Sequence, residues 1–259
     1  MLSVDEILTI VSDSTKKMVI ENHTISNNEA YDIEEMLSIV YKRIDNEYEN
    51  YPALFELEIR LFNVLGWEKM KCCQFLFANN ANYYADILLL LHNKKGSDEK
   101  LPQDKFMTFY SLEQDIKFCP GANNNTINTG TLNSWINTFH IRLTEGGQEL
   151  LFNRKLGKLF ACSPIGTDGL FPHEAIREKI EEIGNDELIH EFAFAIIYGR
   201  GFRYVTAGKD EYLLAQKYEQ LKKKFEIHYP KTSRIFDIIS NSFMDQSVQD
   251  RIDAENEIF

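Results

Sequence analysis

Residues that turn a chain sharply are scarce here: 259 residues hold six prolines and thirteen glycines. All-β domains need such residues at every hairpin, so the shortage points to helices joined by short connections. Positive charge is short as well. Lys and Arg total 28 against 40 Asp and Glu, a formal net charge of −12 with histidine neutral. A surface that coats nucleic acid through counterion release needs the opposite balance, which excludes a generally basic face but not a local basic patch. No apolar run approaches the roughly 20 residues of a membrane-spanning helix. The opening MLSVDEILTI carries acids where a secretory signal carries positive charge, so a cytoplasmic location is expected.

Cysteine is equally sparse, with Cys72, Cys73, Cys119 and Cys162 showing no CxxC spacing of a zinc ligand pair. In KMKCCQFLF at least one of the adjacent thiols must face a helix core, and buried free thiols are the expectation. There is no GxSxG elbow, and no cysteine has a local setting that marks it as activated. Glu187 and His190 form one ExxH pair, but a di-iron bundle needs a second pair and two further carboxylates. Neither a metal nor a cofactor is expected.

What the chain does hold is helical periodicity. Hydrophobic residues make up 44% and aromatics 12%, enough for a folded core. Ser3 with Glu6 reads as a capping box, and Ile33, Met36, Leu37, Val40, Tyr41 and Ile44 recur at three- and four-residue steps, which predicts a helix over 31–48. Pro52 opens a segment that stops at Gly66, and WEKMKCCQFLF and YYADILLLLH follow, split by a polar turn. HNKKGSDEKLPQD reads as a loop before KFMTFYSLEQDI, and an asparagine-rich stretch then precedes LNSWINTFHIRLTE, for which Thr131 is the predicted cap. Pro172 fits the first position of HEAIREKIEEI, while Gly184 and Asn185 suit the end of that helix and the start of the next. Leu214, Tyr218, Leu221 and Phe225 form one stripe ended by Pro230, and Phe236, Ile239 and Phe243 form another. The predicted fold is all-α: stacked antiparallel helical hairpins, as an irregular solenoid or a multi-helix bundle. The predicted organisation is a helical subdomain over 1–118, an Asn-rich linker or loop over 119–130 and a second helical subdomain over 131–259.

The stretch IIYGRGFRYV resembles a phosphate-cradling loop only in its glycines. Such loops lead from a strand into a helix N-terminus, whereas here an apolar helix ends and glycine closes it. Arg200, Arg203, Lys209, Lys222, Lys223, Lys224, Lys231 and Arg234 are nonetheless the one basic cluster in an acidic chain. Sharing a face, they would suit a phosphate backbone or an acidic partner. Phe62, Trp67, Phe75, Phe77, Tyr83 and Tyr84 crowd one region, mostly as core, with a partner groove as the alternative.

In the second half, Asp168, Gly169, Phe171 and Pro172 open a helix, Arg200 and Gly201 form a turn, and Tyr229, Pro230 and Arg234 begin a late helix. This order resembles the C-terminal helical region of large, mostly uncharacterised bacterial multidomain proteins, over about the last hundred residues. Here Phe202-Arg203-Tyr204 stands where that pattern has a small hydrophobe and hydroxyl residues. The resemblance implies one module of a larger machine, of a kind associated with defence against phage or mobile DNA, and it carries over no catalytic residue. The leading expectation is a non-catalytic helical module that binds a protein partner. The alternative is a nucleic-acid-contacting component that uses the basic cluster.

Overall fold

A computed structural model describes residues 2–20, 25–45, 47–92, 102–201 and 206–256. These residues form thirteen α-helices and one two-stranded hairpin, an all-α multi-helix protein as predicted. The chain divides into two compact units, Met1–Phe118 and Cys119–Phe259. Among the described residues no helix is long and apolar enough to cross a membrane.

The first unit holds α1 (Val4–Ile20), α2 (Asn27–Ile44), α3 (Pro52–Arg60), α4 (Phe62–Leu65), α5 (Lys71–Asn79), α6 (Ala81–Leu91) and α7 (Gln103–Asp115). The Ser3 box forms as read, with the Ser3 amide donating to Glu6 at 2.6 Å and the Glu6 amide donating to Ser3 Oγ at 3.2 Å. Helix α2 begins at Asn27 rather than Tyr31 because Ser26 and Glu29 make a second capping box. It ends at Ile44, where Asp45 turns left-handed, rather than at Tyr48. Most of the expected loop HNKKGSDEKLPQD lies outside the described residues. Phe77 centres the core: the Trp67 ring stacks on it at 5.7 Å, and Phe55, Phe118 and Tyr84 surround it at 5.9–6.4 Å.

The second unit starts with a hairpin, β1 (Ala122–Asn123) paired antiparallel with β2 (Thr126–Ile127). Within 119–130, the segment expected as a linker or loop, Cys119, Pro120 and Gly121 are buried and the hairpin follows them. Then come α8 (Thr129–Glu145), α9 (Leu151–Phe160), α10 (Glu174–Ile183), α11 (Asp186–Tyr198), α12 (Lys209–Phe225) and α13 (Pro230–Asn256). Three expectations about helix starts and ends are corrected. Asn128, not Thr131, caps α8, and Thr131 supplies the donated amide. His173, not Pro172, adjoins α10, its Nδ1 accepting from the Ala175 amide at 3.2 Å. Pro230 opens α13 rather than closing α12, which already ends at Phe225, and its missing N–H costs nothing at a first helical position. Gly184 and Asn185 stand as predicted.

Helices α12 and α13 pair as an antiparallel hairpin with a regular seam. Ser233, Ser240 and Ser247 on α13 donate to the carbonyls of Lys222, Ala215 and Gly208 at 3.0, 2.8 and 2.7 Å. Donors and acceptors each recur every seven residues and run in opposite directions, and buried Phe236 and Phe243 fill the intervening positions. A seven-residue repeat is the geometry that keeps one face of a helix on its partner. The small serines let the backbones approach while leaving no hydroxyl unsatisfied. At the end of the seam, a Cβ on Gly208, whose φ is +76°, would sit 2.0 Å from the Ser247 carbonyl. Between α9 and α11, Gly157 plays a matching part, since a Cβ there would meet the Leu188 carbonyl at 2.4 Å. We expect Ser240→Leu to destabilise by about 1–3 kcal/mol through overpacking, and Ser240→Ala by about 1 kcal/mol through one lost hydrogen bond. Urea denaturation of both variants checks the order.

Candidate functional site

The basic cluster is the first place to look for a binding surface, and its members are mostly committed within the fold. The Arg200 guanidinium lies over the Phe243 ring at 5.1 Å, with Nη1 3.7 Å from the buried carboxylate of Glu211. Lys222 bridges Asp237 at 2.7 Å and Glu219 at 3.4 Å, and the Asp237 hydrogen bond pushes its ammonium above the ordinary value. Lys223 reaches Glu219 at 3.5 Å. The Lys231 ammonium donates to the Glu181 carbonyl at the end of α10, and Arg234 pairs with Asp186 at 2.6 Å. Lys209 and Lys224 are exposed, and Arg203 lies outside the described residues. Arg200, Lys231 and Arg234 thus tie the α12–α13 hairpin to its neighbours, while Lys222 and Lys223 pair within it.

A second polar node, which reading the sequence did not single out, surrounds the buried Arg177. Its guanidinium stacks against Phe225 at 4.9 Å and Tyr229 at 5.1 Å. Nη2 donates to Asp168 at 2.5 Å and lies 3.7 Å from Glu174. Asp168 also accepts from the Leu170 amide at 3.0 Å, while Glu174 accepts from the Thr167 amide at 3.1 Å and the Thr167 hydroxyl at 2.5 Å. Partial burial raises the Asp168 carboxyl, but the Arg177 and Leu170 hydrogen bonds and the guanidinium charge outweigh it and hold the group below its ordinary value. Phe171 meets the rings of Phe192 and Phe236 at 6.0 and 6.5 Å. The turn, α10, the end of α12 and the start of α13 therefore meet at one side chain.

The third node is in the first unit. Glu58 of α3 is fully buried and accepts from the Tyr41 hydroxyl at 2.6 Å and from the amides of Cys72 and Cys73 at 3.0 and 2.8 Å. Those are the second and third amides of α5, whose own flanking residue Met70 offers no cap. Glu58 is thus an N-cap supplied from another helix. Glu181 does the same for α13, accepting from the amides of Lys231 and Thr232 at 3.1 and 2.8 Å. Burial, followed by the Glu58 charge, pushes both Cys72 and Cys73 above the ordinary thiol value, so they stay protonated and unreactive. Burial likewise raises the Glu58 carboxyl, an effect that its three hydrogen bonds oppose without cancelling.

Among the described residues the histidines assemble no centre. His173 caps α10, and the His190 ring packs against Phe194 at 6.1 Å. Among the described residues no group of three or more His, Cys, Asp or Glu is placed to hold a metal ion. The nodes define an all-α protein whose buried polar side chains are spent on capping and cross-linking. Set against known proteins, the chain matches no family model, no curated protein and no solved structure.

Two outcomes follow. Arg177→Ala should cost about 2–3 kcal/mol, because the ring stack and the charge pair go together. Arg177→Lys should cost about 1 kcal/mol, since an ammonium keeps the charge but not the planar stack, and thermal melting of the two separates these effects. For Glu58, the raised carboxyl means the folded state binds the extra proton between the ordinary glutamate range and the raised value. Stability should then rise as pH falls through that window and be lost as pH climbs. Urea midpoints followed from neutral pH toward the ordinary glutamate range should show this slope in the native chain and its loss in Glu58→Gln.

Proposed function

We propose that the chain is a non-catalytic helical module that binds a protein partner, as one component of a bacterial multi-component assembly. The observation that carries this reading is an aromatic ladder on the outer face of α11. His190, Phe194 and Tyr198 follow one another at four-residue steps, with ring centroids 6.1 and 6.0 Å apart. Phe194 is 42% and Tyr198 77% exposed. The opposite face of the same helix buries Leu188, Phe192, Ala193 and Ile197, so the ladder is not needed for packing. Aromatic side chains are enriched at the centres of protein interfaces, where they anchor binding.

The bacterial and modular part of the reading rests on the resemblance in the second half of the chain. Its residues Asp168, Phe171, Tyr229 and Arg234 lie at or beside the Arg177 node and the α11 contact. That placement supports a shared fold rather than a shared reaction. A nucleic-acid surface built on the basic cluster would have to draw Arg200, Lys222 and Arg234 away from Glu211, Asp237 and Asp186, and this sets it second.

Affinity isolation of the tagged chain from its host, with and without nuclease, tests the assignment. A nuclease-resistant protein partner is expected. Phe194→Ala with Tyr198→Ala, which adds no charge at the C-terminal end of α11 and raises helix propensity, should weaken its recovery at least about tenfold while a melting curve shows the chain still folded. Recovery of nucleic acid alone, lost when Lys222, Lys223 and Lys224 are changed to Glu, would overturn it.

A further inference from the structure

The outer side of α11 carries polar groups that no hydrogen bond occupies among the described residues: the Glu187 carboxylate, the His190 ring, the Tyr198 hydroxyl and, just past the helix end, the Arg200 guanidinium. Glu187, His190, Phe194 and Tyr198 recur at three- and four-residue steps, so they share one helix face, and all four are exposed. The other acids of α11 are matched, Glu191 by Arg154 at 3.0 Å and Asp186 by Arg234 at 2.6 Å. Arg200 lines a cleft of about 310 Å³ together with Ile197, Tyr198, Gly201 and Gln246. Its guanidinium lies over the Phe243 ring at 5.1 Å, and Glu211 is 3.7 Å from Nη1, beyond hydrogen-bond distance. A guanidinium held in place with its N–H groups unbonded suits a carboxylate.

The order of groups along this face is self-complementary. Phe194 stands at the centre, His190 and Tyr198 four residues to either side, and Glu187 and Arg200 seven and six residues out. Two such helices running antiparallel about a two-fold axis at Phe194 bring unlike groups together. Phenyl meets phenyl on the axis, imidazole meets phenol, and carboxylate meets guanidinium. The same direction sets opposite ends of the helix dipoles side by side. The parallel direction sets Glu187 on Glu187 and Arg200 on Arg200, which like charges oppose.

We propose that α11 pairs antiparallel with α11 of a second copy of this chain, the Glu187 carboxylate of each copy entering the Arg200 cleft of the other. The inference rests on the ladder reading above and names its occupant. One helix face covers less than the roughly 800 Å² per partner of a standard interface, so association in the micromolar range is expected. The net charge of −12 on each copy is screened beyond about 8 Å at physiological salt, which is the condition to use.

Sedimentation velocity of the purified chain across the micromolar range reads the association. A monomer–dimer equilibrium is expected. Glu187→Arg and Arg200→Glu should each weaken it at least about tenfold, and the two together in one chain should restore it, a rescue that a merely structural role does not give. Melting curves verify that each variant is folded. Phe194→Cys gives a readout independent of Arg200: residues on the axis face each other, so oxidised glutathione should link two copies there, and adding Glu187→Arg should suppress the link. A chain that stays monomeric throughout, or a dimer that Glu187→Arg leaves unchanged, overturns the proposal. A monomer whose cellular partner is lost to Phe194→Ala with Tyr198→Ala overturns it while the module reading stands. A dimer rescued by the double reversal supports it even where affinity isolation recovers no other protein.

Discussion

One guanidinium determines how the second unit is held. Arg177 is buried against the rings of Phe225, the last residue of α12, and Tyr229, in the connection to α13. Its other side faces the carboxylates of Asp168, in the turn before α10, and of Glu174, the first residue of α10. The serine seam meets this point at its Lys222–Ser233 end and runs from there to Gly208 and Ser247. The two devices divide the work. The seam fixes the register of the hairpin along its length, and the guanidinium fixes where that hairpin sits against α10. A planar, permanently charged group suits such a junction, because it can stack on rings through its faces while donating through its edge.

Supplying caps from a distance is the second organising habit. A helix leaves its first amides unpaired, and a Ser, Thr, Asp or Asn just before it usually takes them up. Helices α2 and α11 follow that rule through Ser26 and Asn185. Helices α5 and α13 instead receive a glutamate carboxylate from another helix, onto their second and third amides. Each such bond does two jobs: it satisfies a helix end and it cross-links two helices. An acidic chain can hold many carboxylates close to its core in this way, since each meets oriented donors and the positive end of a helix dipole.

This explains which features could be read from the sequence. Local signals were legible: the Ser3 box, Gly184 and Asn185, and the apolar stripe of Phe236, Ile239 and Phe243. Misplaced starts arose where two local signals competed, as with Asn128 against Thr131, or where proline fitted both an end and a beginning, as at Pro230. The distant caps left no local trace, because Glu58 and Glu181 look like ordinary helix residues until the fold brings α5 and α13 to them. The serine seam did leave a trace, a seven-residue recurrence that lies beneath the more obvious aromatic stripe. The basic cluster was legible as composition alone. Lys222 and Lys223 meet Glu219 within their own helix, but the carboxylates that pair with Arg200, Lys222 and Arg234, those of Glu211, Asp237 and Asp186, come from three different helices that only tertiary structure brings to them.

The buried carboxylates, guanidinium and seam hydroxyls of the nodes described above serve capping and packing, whereas the α11 ladder lies at the surface. An exposed aromatic residue on a helix carries a cost, because Phe and Tyr are poorer helix formers than Ala, Glu or Lys and offer apolar area to water. Helix α11 bears that cost at Phe194 and Tyr198 although its inner face already satisfies α9 and α13. Beyond the pairing of its own rings, the exposure of the α11 ladder has no counterpart in the packing of the second unit, and the proposed partner contact rests on it.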